Sequence, residues 1–99
     1  MKTRLAAPAR KQADRIDRWW RENRSAVGDL FARELAEARR LLESSPEIGT
    51  PFLARHPNIV RRVLLPKTKN HVYYIFDRIE NIVIIVAVWG APKGRGPKL

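Results

Sequence analysis

The sequence has no cysteine, which excludes disulfides, a thiolate nucleophile and any cysteine-ligated zinc site. Nothing in the chain calls for an oxidising compartment, and a cytoplasmic setting is the expectation. Histidine is nearly as scarce: His56 and His71 stand alone with few carboxylates near them in sequence, so neither a metal site nor a cofactor is expected. No Gly-x-Ser-x-Gly elbow occurs, and Ser25, Ser44 and Ser45 all fall at the ends of predicted helices, which leaves no nucleophilic triad. The stretch "GAPKGRG" holds three glycines, but it follows the last predicted strand with no helix after it, so neither nucleotide-binding fingerprint applies. Long apolar runs are also lacking. The longest, "IVIIVAVW" at residues 82–89, is well short of the roughly 20 residues that span a bilayer. The early charges of "MKTRLAAPARKQADRIDRWW" lead into no apolar signal segment. A soluble protein without membrane association is expected.

What the chain has in excess is positive charge. Twenty Lys+Arg against ten Asp+Glu give a net charge of +10 over 99 residues, which favours polyanions or an acidic protein partner. Residues 1–49 carry eleven bases and eight acids, whereas residues 50–99 carry nine bases and only Asp77 and Glu80. The second half is the side that would face a polyanion. A chain of this length buries roughly 65% of the surface that it exposes when unfolded, so one domain over residues 1–99 is expected.

Apolar periodicity gives the organisation. "KTRLA" predicts a short edge strand at about 2–6. Pro8 suits a first helical turn, and Ala9, Ala13, Ile16 and Trp20 then recur at helical spacing, predicting a helix over 8–22. Trp19 and Trp20 cannot both point inward; one can cap the core edge while the other lies on the surface as a partner contact, but the favoured reading is that both are partly buried against the next helix. Ser25 reads as the N-cap of a second helix whose stripe is Val27, Phe31, Leu35, Ala38 and Leu42, widened by Leu30 and Leu41. Together the two helices make a hairpin. Pro46, Gly49, Pro51 and Pro57 predict an irregular connection, followed by three strands at 60–65, 71–76 and 82–89. Their short links predict an antiparallel meander. The fold class is therefore α+β, a helical hairpin preceded by an edge strand and packed on a small antiparallel sheet. The last strand is apolar on both faces while the hairpin covers one; either the sheet curls over its second face or a partner covers it.

The cations gather on this sheet. Arg61 and Arg62 lie on the first meander strand, Lys67 and Lys69 in its turn, and His71 at the start of the next strand. Alternation sends Arg61 and Arg62 to opposite faces, and likewise Tyr73 and Tyr74. Lys93, Arg95 and Lys98 follow the third strand, whose end approaches the start of the second by antiparallel order. Charge for phosphates and a ring for stacking are what nucleic-acid binding uses. A solvated basic edge over core tyrosines is the equal alternative.

The succession of "LFARELAEARRLLESSPEIGTP", "VRRVLLPKTKNHVYYIF" and "IVIIVAVWGAPKGRG" resembles the RelE/ParE superfamily of toxins from bacterial type II toxin-antitoxin systems. The likeness spans nearly the whole chain. It implies a growth inhibitor that acts either by a ParE-like block of DNA gyrase, with no hydrolytic chemistry of its own, or by RelE-like ribosome-dependent cleavage of mRNA. The Pro46-x-x-Gly49-x-Pro51 segment, the doubled arginine and the "HVYY" strand resemble the ParE side. The resemblance also implies an acidic cognate antitoxin as partner. For the nuclease branch the candidates are Arg61 or Arg62, with Arg95, as phosphate and transition-state stabilisers, His71 or a tyrosine for proton transfer, and Lys67 or Lys69 for positioning. Tyr73, Tyr74, Lys93 and Lys98 complete the expected target-binding set. Where relatives carry a His and then an Arg after the apolar strand, this chain has Gly90, Ala91, Pro92 and Lys93. The competing readings are a non-toxic basic nucleic-acid-binding module and an inactive accessory protein of the same fold.

Overall fold

The computed structural model describes residues 2–90, 96, 97 and 99. Strand β1 (Lys2–Leu5) leads into helix α1 (Ala7–Asn23), helix α2 (Leu30–Ser44) and strands β2 (Thr50–Phe52), β3 (Val60–Leu65), β4 (Asn70–Asp77) and β5 (Ile82–Gly90). The strands form one sheet in the order β1-β5-β4-β3-β2. The meander β2 to β5 is antiparallel, and β1 joins its far edge parallel to β5.

Helix α1 starts with Pro8 in its first turn, where a missing N–H costs nothing. Its stripe buries Ala9 and Ala13 completely or nearly so and packs Ile16 and Trp20 against the same core. Gln12 fixes the helix to the sheet, its Oε1 accepting a 2.8 Å bond from the Val88 N–H. The start of α2 differs from expectation. Ser25 does not cap it; residues Ser25–Val27 form a 3-10 turn, in which Val27 N–H and Gly28 N–H donate to the Arg24 and Ser25 carbonyls. These tight bonds reverse the chain in a few residues, so α2 begins after Asp29 and Val27 is left exposed. From Phe31 onward the expected stripe holds: Phe31 and Leu42 are buried, and Leu35 and Ala38 pack beside them.

The proline-rich connection also contains an unexpected element. Residues Thr50–Phe52 pair with β3, Pro51 standing opposite Arg61. An edge strand tolerates proline because one side of its backbone needs no partner, and the three consecutive pairs here form at the edge of the sheet.

Two apolar layers lie on the two faces. Leu65, Val72, Tyr74, Val83, Ile85 and Val88 meet the helices. Val60, Tyr73, Ile75 and Ala87 form a smaller cluster on the opposite face, flanked by Phe52, Ala54, Ile84, Val86, Trp89 and Leu99. The second face of β5 is thus partly covered by the chain itself. The Arg55 N–H donates to the Leu99 carbonyl at 3.0 Å, and Pro97 is buried, so these residues are packed against the sheet and do not form a frayed arm. A Cβ at Gly96 would stand 2.7 Å from Phe52 Cζ and 3.0 Å from Tyr73 Oη, so a side chain there would have to displace these rings. Between β4 and β5 the register shifts at Tyr73/Tyr74, which pair with Ala87 and Ile85 and leave Val86 as the extra residue of a bulge.

Candidate functional site

Arg61 and Arg62 do face opposite ways, and their surroundings differ. On the helix side, Arg61 Nη1 donates to the Gly49 carbonyl at 3.0 Å, and the Gly49 N–H donates to Tyr74 Oη at 2.8 Å. Arg61 and Tyr74 together hold the connection after α2 against the sheet. Only glycine fits there, since a Cβ would lie 2.6 Å from Tyr74 Oη and 3.0 Å from the Arg62 carbonyl oxygen. Burial pushes the Tyr74 phenol above its ordinary value, with the Gly49 N–H and the Arg61 charge acting against that shift. This ring is 0% exposed, and its hydroxyl serves the fold.

On the opposite face, Arg62 lies over the Phe52 ring, with Cζ 5.4 Å from the centroid, a cation–π arrangement. It pairs across the strands with Tyr73, and His71 pairs with Leu64 two residues further along β3. Arg62 and His71 are therefore diagonal neighbours on one face. Phe52 meets Tyr73 edge-on at 4.8 Å, and His71 meets Tyr73 edge-on at 6.0 Å. On the other side His71 pairs with Trp89 of β5. Desolvation, and secondarily the charge of Arg62, lowers the His71 pKa below its ordinary 6.5. The imidazole is thus neutral at pH 7, a ring able to take a proton beside a fixed cation. Tyr73 is 1% exposed. Neither tyrosine offers a ring to a base, which corrects the expectation of stacking at these positions: both rings are used in packing.

Lys67 and Lys69 sit in the β3–β4 turn, and α2 determines its shape. Glu34, 8% exposed, accepts bonds from the Lys67 N–H at 2.7 Å, the Thr68 N–H at 3.1 Å and the Thr68 hydroxyl at 2.7 Å. Those three donors satisfy a buried carboxylate that would otherwise be costly. Lys69 takes a positive φ of 61° to close the turn, and both lysine side chains are exposed.

The structure thus brings Arg62 and His71 onto one face with Lys67 and Lys69 at its end, and commits Arg61, Tyr73 and Tyr74 to the framework. Lys93, Arg95 and Lys98 lie outside the described residues. Sequence reasoning missed Glu34, Phe52 and the Gly49 anchor. For Gly49 the Pro-x-x-Gly spacing was a signal; for Glu34, one acid among several on a helix, there was none. Among the described residues no group of three or more His, Cys, Asp or Glu is placed to hold a metal, and no helix is long and apolar enough to cross a membrane.

Residues 3–91 match the family described as the ParE toxin of type II toxin-antitoxin systems, parDE. In fold, the chain is similar to the isolated RelE toxin of E. coli, with a TM-score of 0.55 at 20% identity, covering 91% of this chain and 83% of that one. A chain of the intact E. coli RelBE toxin-antitoxin complex is similar to the same degree, at 20% identity and a TM-score of 0.55, over 91% of this chain and 95% of that one. No curated protein sequence matches.

Proposed function

Since the chain belongs to the ParE family of toxins of type II toxin-antitoxin systems, we propose that it arrests growth in the cytoplasm by blocking DNA gyrase and is neutralised by an acidic cognate antitoxin. The match to the ParE family over nearly the whole chain carries this reading. The side-chain geometry agrees with it. Of the alternative nuclease candidates, Arg61 and Tyr74 are bonded to Gly49. A net charge of +10 favours an acidic neutralising protein, and the RelE fold is known in a complex with its antitoxin.

One observation favours a second reading, ribosome-dependent mRNA cleavage. A neutral His71 beside Arg62 could take a proton while a cation stabilises charge at phosphorus. Induced expression with parallel assays of gyrase supercoiling and of mRNA integrity in a translating extract separates the two. Loss of supercoiling with intact mRNA is the expected result. Cut mRNA that becomes intact in His71→Gln supports the second reading, and a harmless, monodisperse chain overturns both.

A further inference from the structure

A second surface, beyond the Lys69 end of the Arg62–His71 face, has the composition of a ligand site. The end of α1 and the β3–β4 turn enclose a crevice of about 260 Å³ whose walls include Ile16, Trp19, Trp20, Lys69 and Asn70. Trp19 and Trp20 stand edge-to-face at 5.6 Å. Trp20 packs into the core, whereas Trp19 keeps 49% of its surface exposed. An exposed indole already held against a buried one loses little freedom when something stacks on it. The opposite wall is equally fixed, because Glu34 clamps the turn at Lys67 and Thr68 and Asn70 donates to the Thr68 hydroxyl.

Charge indicates what would bind. Among the described residues Lys69 is the one charged residue lining the crevice, and no acid lines it. Lys11, Arg15 and Trp19 follow one another at intervals of four in α1, which sets the two cations in a row leading to the ring, about 6 Å apart along the helix. Both are exposed, and neither forms an ion pair with a described residue. A row of evenly spaced cations ending at a fixed aromatic ring suits a linear polyanion with flat apolar groups. We infer that this crevice binds single-stranded nucleic acid, with one base stacked on Trp19 and the flanking phosphates on Lys11, Arg15 and Lys69. The crevice adjoins the Arg62–His71 face, with which it shares Lys69, and the inference does not depend on the toxin reading.

The test uses the full chain and fluorescein-labelled oligo(rA) and oligo(dA) of ~12 nucleotides, a length within the site sizes of such grooves. Trp19→Ala is expected to weaken binding about tenfold, a typical loss for one stacked base. Trp19→Phe, which retains a ring, should restore most of the affinity and shows that the loss is not one of folding. Lys69→Ala should reduce the salt dependence by about 0.7 in the slope of log K against log salt. Binding unchanged in Trp19→Ala overturns the proposal. So does polyglutamate that competes fully with the oligonucleotides, with equal strength in wild type and Trp19→Ala, since the cations would then serve an acidic polypeptide. Growth arrest measured in Trp19→Ala and Trp19→Phe reports separately on the toxin reading.

Discussion

The two faces of the sheet are built from alternate residues of the same strands, yet they are sealed in different ways. Under the helices, Phe31, Leu42, Val72, Tyr74, Val83 and Ile85 are at most 1% exposed, and the one buried hydroxyl there has its partner in Gly49. On the opposite face a smaller cluster is bordered by half-buried side chains, among them Phe52, Trp89 and Leu99, with a cation and an imidazole set into it. One face is a nearly closed core whose buried hydroxyl and whose Glu34 carboxylate are both partnered. The other keeps titratable groups at its border, where function can use them.

That contrast can be broken by substitution. The largest effect is expected from Leu42→Ala, which should cost about 3 kcal/mol of stability because the surrounding helices and sheet cannot collapse into the cavity. Leu99→Ala, on the other face, should cost under about 1 kcal/mol. Urea denaturation of both variants measures this, and equal costs would mean that the second face is as much a core as the first. Next comes the tyrosine pair. Tyr74→Phe strands the buried Gly49 N–H and should cost about 2 kcal/mol. Tyr73→Phe should cost under about 0.5 kcal/mol, since no described residue hydrogen-bonds its hydroxyl. A reversed order would contradict the assignment of Tyr74 as the anchor.

The smallest effect is a pH dependence. The folded His71 binds its proton less readily than the unfolded one, whose ordinary value is 6.5. Between the lowered value and 6.5 the unfolded state therefore holds more protons, and stability must fall as pH drops through that interval, levelling off below it. Thermal unfolding across this range should show the decline in the wild type and a smaller one in His71→Gln. An identical profile in both would place His71 outside any desolvated, Arg62-influenced setting.

Much of the fold was legible in the sequence because it rests on periodicity. The stripe of Phe31, Leu35, Ala38 and Leu42 and the three strands of the meander needed only local pattern. What was not legible depends on distant parts of the chain. Pro51 argued for a loop until β3 supplied an edge on which a proline could sit. Ser25 had the chemistry of a cap, but the reversal between the helices required a 3-10 turn at that place. For the site, alternation correctly divided Arg61 from Arg62 and Tyr73 from Tyr74. It could not say which member of each pair the fold would use, because that was decided by Gly49, 12 and 25 residues away in the chain. Glu34 lies 33 and 34 residues from the amides it binds, and a single acid on a helix carries no mark of such a task.

The extra residue at Val86 has one more consequence. Counting outward from Val83 and Ile85, strict alternation would send residues 87 and 89 to the helices and 88 away from them. With the insertion, Val88 meets the helices while Ala87 and Trp89 turn to the face of Arg62 and His71. Parity along β5 is thus reset once, before the basic segment that follows Gly90. Deleting Val86 would make the strand regular and leave Ala87, Val88 and Trp89 on the faces they now occupy, because the bulge takes up the one extra residue. A bulge of this kind lets a strand absorb a one-residue insertion or deletion while every side chain beyond it stays on its own face of the sheet.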